Sequence, residues 1–319
     1  MNNSGFQSVS GKVLIAAPVH PVLIDGLTSL GYICQMHEKI SQAAAYELIK
    51  DCVGVVTSTR LQLDKELIDA APKLEWIGRM GSGMEVIDVP YCLSKGIACF
   101  GSPEGNSNAV GEHALGMLLA LIRKIVWSNM EMKEGIWRRE ENRGTELEGK
   151  TIGIIGCGHT GNAFARKLSG FDTRILAYDK YNCDGIPAHI VTCKSLDQIF
   201  EEADIVSFHV PLQADTKNYF DEHFLEQMHK PFILINTSRG PVVNTLALIR
   251  GLSERKVTGA CLDVFEQEPL NTLDSGVAER LICLPNVVVT PHIAGYTFEA
   301  LYKMSRVLLD KIKAIQARL

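Results

Sequence analysis

Short apolar runs alternate with stretches of helical spacing along almost the whole chain. KVLIAAP (12–18), GYICQM (31–36), CVGVVTS (52–58) and KLEWIGRM (73–80) read as strands, with helices expected from Val22, over 43–49 and from Lys65. A second series opens at TIGIIG (151–156) and runs through RILAYD (174–179), ADIVSFHVP (203–211), FILINTS (232–238), VTGACLDVF (257–265) and NVVVTPH (286–292). Strands and helices alternating at roughly 30 residues per β-α-β unit predict parallel sheets covered by helices. Two such domains are expected, because 319 residues exceed what one core usually fills. Between the series, NAVGEHALGMLLALIRKIV (108–126) is apolar on every side, so it is expected to pack inside or at an interface. The closing segment 297–319 has helical spacing and no strand after it, and its pattern alone fits against either domain.

Charge narrows the classes of partner. A net charge of −5 with no basic block argues against nucleic acid and against a polybasic membrane patch. The opening MNNSGFQSVS has no apolar core of a signal peptide, and ALGMLLALI (114–122) is about half a membrane span. A cytoplasmic chain with no membrane contact is expected. Nine cysteines, scattered without C-x-x-C pairs, are expected to be reduced and mostly buried, and no metal site is predicted.

GCGHTG (156–161) follows an apolar strand and precedes a helical pattern, the context that a dinucleotide-binding turn requires. Gly156 permits a tight turn, Gly158 lets a pyrophosphate approach the backbone and Gly161 lets helix and strand pack, with His159 and Thr160 opening the helix. A glycine turn of purely structural use has the same pattern. Asp179, ending the next strand, sits where an acidic side chain takes the adenosine ribose hydroxyls, which points to NAD and disfavours a 2′-phosphate; Lys180 beside it pulls the other way.

Three further segments close strands: SRG with Arg239, DVFEQEP with Glu268 and TPHIAG with His292. Singly, each reads as an ordinary loop residue. Beside a nicotinamide, they form a set. Oxidising a 2-hydroxy acid needs a base for the hydroxyl proton, a carboxylate to orient it and a planar cation for the substrate carboxylate.

On NTSRG, DVFEQEP and TPHIAG, with the glycine turn before them, the chain resembles the D-isomer-specific 2-hydroxyacid dehydrogenases, nearest the phosphoglycerate dehydrogenases. The resemblance implies that Arg239 binds substrate, Glu268 supports the histidine and His292 is the acid/base. It implies further that Asp263 meets the nicotinamide carboxamide, that His209, Pro211 and Thr216 border the adenosine and that Thr237 lies beside the cofactor. The turn 81–83 resembles the family's substrate loop, with Ser82 and Gly83 holding a carboxylate. The implied fold is two doubly wound α/β domains: a discontinuous flavodoxin-like substrate domain, 1–101 with 290–319, and a Rossmann NAD domain, 102–289. A homodimer through the apolar helix and the arm carrying Trp137 is also implied.

The resemblance leads to 3-phosphoglycerate oxidation in serine biosynthesis, with glyoxylate, hydroxypyruvate or another 2-oxo acid as the alternative substrate. Where relatives carry R-S-R this chain has STR, keeping Arg60 but placing Ser58 at the other arginine; where they carry a lysine after G-x-W, it has Arg139. With the sequence ending at Leu319, the C-terminal regulatory domain of some relatives is not expected. An NAD-sensing corepressor on the same fold is the non-enzymatic alternative.

Overall fold

A computed structural model describes residues 11–181, 186–187, 190–268 and 275–316. The polar start at 1–10, Pro269 of the DVFEQEP segment and the last three residues of the closing segment lie outside the described residues. The chain divides into two compact units, Met1–Asn106 with Tyr296–Leu319, and Ser107–Gly295.

In the first unit β1 (Gly11–Ile15), β2 (Tyr32–Met36), β3 (Cys52–Thr57), β4 (Trp76–Arg79) and β5 (Ala98–Phe100) form one parallel sheet in the order β2-β1-β3-β4-β5. That is the flavodoxin-like order, reversing between β1 and β3. Helices α1 (Pro21–Ser29), α2 (Gln42–Leu48), α3 (Lys65–Asp69) and α4 (Val89–Ser94) start where a side chain caps them. Ser41, Asp64 and Asp88 each accept an amide of the first turn, at 3.2, 2.9 and 3.0 Å; such a cap contributes roughly 1 kcal/mol. Leu14, Val55, Ile77, Leu67 and Cys92 meet in one core, while Trp76 stacks on Phe100.

The second unit holds β6 (Thr151–Ile155), β7 (Arg174–Tyr178), β8 (Val191–Thr192), β9 (Ile205–Phe208), β10 (Phe232–Asn236), β11 (Val257–Leu262) and β12 (Val287–Val289). All pair in parallel, in the order β12-β11-β10-β9-β6-β7-β8, the Rossmann arrangement with its reversal between β6 and β9. One face is covered by α5 (Pro103–Ile122), whose Ala114, Met117, Leu118 and Leu121 pack on Ile152, Ile154, Ile235 and Cys261. After α6 (Ile125–Lys133), α7 (His159–Lys167) and α8 (Asp197–Glu202), the helices α9 (Glu222–Gln227) and α10 (Thr245–Ser253) close the other face around Phe208, Phe224, Leu234 and Ala247. Helix α11 (Ser275–Ile282) follows β11.

Two expectations change, at 108–126 and at 290–295. The apolar segment 108–126 is not one helix: α5 ends at Ile122, and Lys124, at φ 54°, turns the chain into α6. The final helix, α12 (Phe298–Gln316), belongs to the first unit. Its buried stripe, Ala300, Met304, Leu308 and Ile312, follows helical spacing; Ser305 Oγ accepts the His20 amide at 3.0 Å, and Lys311 Nζ donates to Gly101 O at 2.9 Å. Residues 290–295, expected with the substrate domain, lie in the second unit, because the peptide groups of 292–294 hydrogen-bond to Asp263 at the end of β11.

Candidate active site

The reversal between β6 and β9 is where an open α/β sheet leaves a crevice, and the glycine turn fills the end of β6. Gly156 has φ 99°, and a Cβ there would meet the His209 carbonyl carbon and oxygen at 2.6 Å. At Gly161 a Cβ would lie 2.0 Å from Gly156 O, so α7 can approach the turn only without a side chain. Gly158, by contrast, faces open space. It is the N-cap of α7 and offers no side-chain acceptor to the first helical amides, which leaves the positive end of the helix available to an anion.

Asp179 follows β7 and is tied to this turn. Its Oδ2 accepts the Cys157 amide at 2.7 Å and its Oδ1 the Tyr181 amide at 2.9 Å. Lys180 points its ammonium at Asp215, 2.7 Å away. Two buried polar atoms nearby in the sheet have no hydrogen-bond partner among the described residues: His209 Nδ1, after β9, and Thr237 Oγ1, after β10. His209 Nε2 lies 2.8 Å from Ser207 Oγ, and burial lowers the imidazole pKa to about 3, so the ring is neutral. Open space over Gly158, an uncapped helix start, an anchored aspartate and two orphaned polar atoms fit a dinucleotide. His159 is exposed and Thr160 half-buried at the helix start. Thr216 closes the loop after β9: its hydroxyl donates to Pro211 O at 2.6 Å and accepts the Gln213 amide at 2.7 Å.

Arg239, Glu268 and His292 all belong to the second unit, following β10, β11 and β12. Asn236, fully buried, shapes the arginine loop: Oδ1 accepts from the Ser238 amide and hydroxyl at 3.1 and 2.8 Å, and Nδ2 donates to Arg239 O at 2.9 Å. Arg239 Nη1 donates to Ser238 O at 2.7 Å, which ties the guanidinium to its own loop. A Cβ at Gly240 would fall 1.6 Å from Phe265 O, so this glycine is what lets the arginine loop lie on the loop carrying Glu268.

His292 Nδ1 and Glu268 Oε2 are 2.6 Å apart, and Glu268 Oε1 accepts the Phe265 amide at 2.9 Å. Burial pushes the Glu268 carboxyl up, yet the bond from His292, the Phe265 amide and the charges of His292 and Arg239 together hold it below the ordinary glutamate value. Glu268 is therefore a carboxylate, and Nδ1 carries the hydrogen between them. The other ring nitrogen, Nε2, remains to exchange a proton. His292 stands at φ 54°, in the left-handed region.

Asp263 is engaged within the chain at the end of β11. Only 1% exposed, its carboxylate accepts the amides of Ile293 and Ala294, each at 2.8 Å, and the Thr290 hydroxyl at 2.6 Å. Of the residues expected at the substrate, Ser82 and Gly83 follow β4 in the first unit, and their amides donate to nothing among the described residues. The Gly81 amide is already used, by Ser102 Oγ at 3.0 Å. Arg60 follows β3, exposed and without an ion-pair partner among the described residues, and Arg139 lies exposed on the arm after α6. Asn236, Thr290 and His113, whose contacts shape these loops, were not assigned roles from sequence. A lone histidine in the otherwise apolar stretch of α5 was the available signal.

The profile described as "D-isomer specific 2-hydroxyacid dehydrogenase, NAD binding domain" matches residues 115–294. A glyoxylate reductase of Thermofilum pendens is 40% identical over 260 residues, 80% of this chain and 75% of that protein. A D-3-phosphoglycerate dehydrogenase of Synechocystis is 32% identical over 308 residues, 95% of this chain and 54% of that protein. This chain thus spans about half the length of that relative. The crystal structure of D-lactate dehydrogenase from Aquifex aeolicus, complexed with NAD and lactic acid, superimposes with a TM-score of 0.82 at 27% identity, covering 96% of each chain.

Proposed function

The chain belongs to the D-isomer specific 2-hydroxyacid dehydrogenase family, and from that premise we propose that it reduces a small unphosphorylated 2-oxo acid, of the glyoxylate or hydroxypyruvate kind, with NADH. One observation carries the reading: a histidine and a glutamate 2.6 Å apart, with the arginine loop packed against the glutamate loop, at the strand ends of the unit that holds the glycine turn.

The nicotinamide, when bound, supplies the hydride. His292 gives a proton from Nε2 to the oxygen of the former carbonyl, and recovers one there in the reverse direction. Glu268 holds the ring by Nδ1 and stabilises its protonated form. Arg239 is the cation for the substrate carboxylate, since its planar fork matches two oxygens. Ser82 and Gly83 have backbone amides of the kind that bind a carboxylate. Gly156, Gly158 and Gly161 cradle the pyrophosphate at the start of α7, and Asp179 takes the ribose hydroxyls, favouring NAD over NADP.

Ser58, in place of an arginine, supports the unphosphorylated substrate: a phosphate brings nearly two charges that cations must meet. Oxidation of 3-phosphoglycerate is the second reading, supported by Arg60 and Arg139 and by the name of the Synechocystis relative. Helix α6 buries none of its residues and exposes Ile125, Met130 and Met132, with Trp137 78% exposed beyond it; this face fits a second copy of the chain. Cysteines at 52, 92, 157, 193 and 261 are buried, and no helix among the described residues is long and apolar enough to cross a membrane.

NADH oxidation measured side by side with glyoxylate, hydroxypyruvate and phosphohydroxypyruvate tests the substrate. We expect kcat/KM for one of the first two to exceed the third by about 10-fold, a difference of roughly 1.4 kcal/mol. Preference for the phosphorylated acid selects the second reading. Tight NADH binding with no turnover of any 2-oxo acid would leave only a sensor like the corepressors.

A further inference from the structure

We propose that His113, on α5, is a positioning residue for His292, acting through Thr290 and Asp263. The inference rests on the reading of His292 as the proton-transfer group. His113 has no place in the chemistry described above.

The direction of the chain of hydrogen bonds follows from counting hydrogens. Thr290 has one hydroxyl hydrogen, and two acceptors lie within reach of Oγ1: Asp263 Oδ1 at 2.6 Å and Met117 Sδ at 3.7 Å. An ionised carboxylate at the shorter distance takes it over a thioether. The His113 Nε2 contact to Thr290 Oγ1, at 2.9 Å, must then run from nitrogen to oxygen, which makes His113 the Nε2–H form. The same nitrogen stands 3.6 Å from Asp263 Oδ1. Three donors therefore meet the Asp263 carboxylate, the Thr290 hydroxyl after β12 and the Ile293 and Ala294 amides of the turn, and His113 on the helix holds the first of them.

What the carboxylate holds is the backbone around His292. The His292 amide donates to Asp263 O at 2.8 Å, and the next two amides go to its side chain. These three bonds clamp a histidine at φ 54°, a conformation that persists in a non-glycine residue only when its surroundings impose it. Rotation of the Asp263 carboxylate would release two of the three. The hydroxyl of Thr290 opposes that rotation, and His113 fixes the hydroxyl from a helix packed on the sheet. The ring of His292 is aimed at Glu268 as a consequence, and proton transfer is sensitive to displacements of about 1 Å.

Two measurements on the full-length protein test this. In histidine-selective ¹⁵N spectra taken without substrate, His113→Phe should move or broaden the His292 ring resonances, and His113→Gln, which retains an N–H donor, should restore them. In NADH-linked turnover, H113F should lower kcat about 10-fold or more while KM for NADH and for the 2-oxo acid stays within about 2-fold. Thr290→Val should cause a similar loss, Thr290→Ser little, and H113F with T290V together no more than the larger single effect, because both cut one chain. Unchanged His292 resonances and unchanged kcat in H113F would overturn the proposal. So would a Gln variant no better than Phe, or additive losses that track the melting temperature alone. If H113F does not fold, the contrast of T290V with T290S in the same two measurements decides. Failure of every 2-oxo acid to react with the wild-type chain would count against the proposed function, while the spectra would still judge His113.

Discussion

Two turns at strand ends of the same sheet, one at Gly156 and one at His292, both use left-handed backbone, and they reach it by opposite means. Gly156 takes φ 99° with no Cβ to object, and packing against the His209 backbone forbids any other residue. His292 takes φ 54° with a full side chain, and the strain is offset by amides bound to Asp263. A turn whose task is to present bare backbone can use glycine. A turn that must present an imidazole has to be held from outside.

The sharpest test of that contrast is His292→Asn. Asparagine tolerates left-handed backbone, so the fold should survive with a melting temperature within about 2 °C of wild type, while turnover falls about 10³-fold through loss of the proton carrier. An unfolded H292N chain would mean that the imidazole, not Asp263, holds the turn. Next comes a paired comparison by urea unfolding. Asp263→Ala orphans several buried donors and should cost about 3 kcal/mol or more. Gly156→Ala, clashing with backbone, should cost roughly 2 kcal/mol and weaken NADH binding about 10-fold. Equal effects on NADH affinity would erase the distinction between the two turns.

Acid separates the same regions by pH window. The buried His209, beside the glycine turn, has its folded pKa lowered from 6.5 to about 3. An unfolded chain takes up a proton below 6.5 that the folded ring refuses, so stability present above that value is lost as pH falls, by at most about 1.4 kcal/mol per pH unit. Glu268, near the other turn, is also depressed, and its contribution is lost only as pH falls below 4.5. Between pH 7 and 5, His209→Gln should flatten the decline in urea midpoint, and Glu268→Gln should leave it as it is. The smallest effect concerns cofactor choice. Asp215→Asn frees Lys180 beside Asp179, and the ratio of NADPH to NADH efficiency should rise about 3-fold, as suits an exposed pair worth under about 1 kcal/mol. An unchanged ratio would show that Asp179 alone sets the preference.

Much of this was readable without coordinates. The alternation of apolar runs and helical stretches carried the two parallel sheets, and the spacing of GCGHTG against a preceding strand carried the crevice. That Arg239, Glu268 and His292 follow strands of one sheet was legible because their motifs are local. The break at Lys124 was not, since apolar residues continue on both sides of it and only the backbone records the turn. Nor was the unit to which 290–295 belong, because those residues are held by Asp263, some thirty positions earlier. The same distance hid the bonds from Thr290, Ile293 and Ala294 to the Asp263 carboxylate.

Sequence alone determined which chemical groups this protein possesses and the order of its strands, since period, capping and glycine turns act over a few neighbouring residues. Tertiary structure decided which of those groups stand together. It brought His113, Thr290 and Asp263 into one chain of hydrogen bonds, across 177 positions of sequence, and only the packing of a helix on a sheet can specify a contact at that separation.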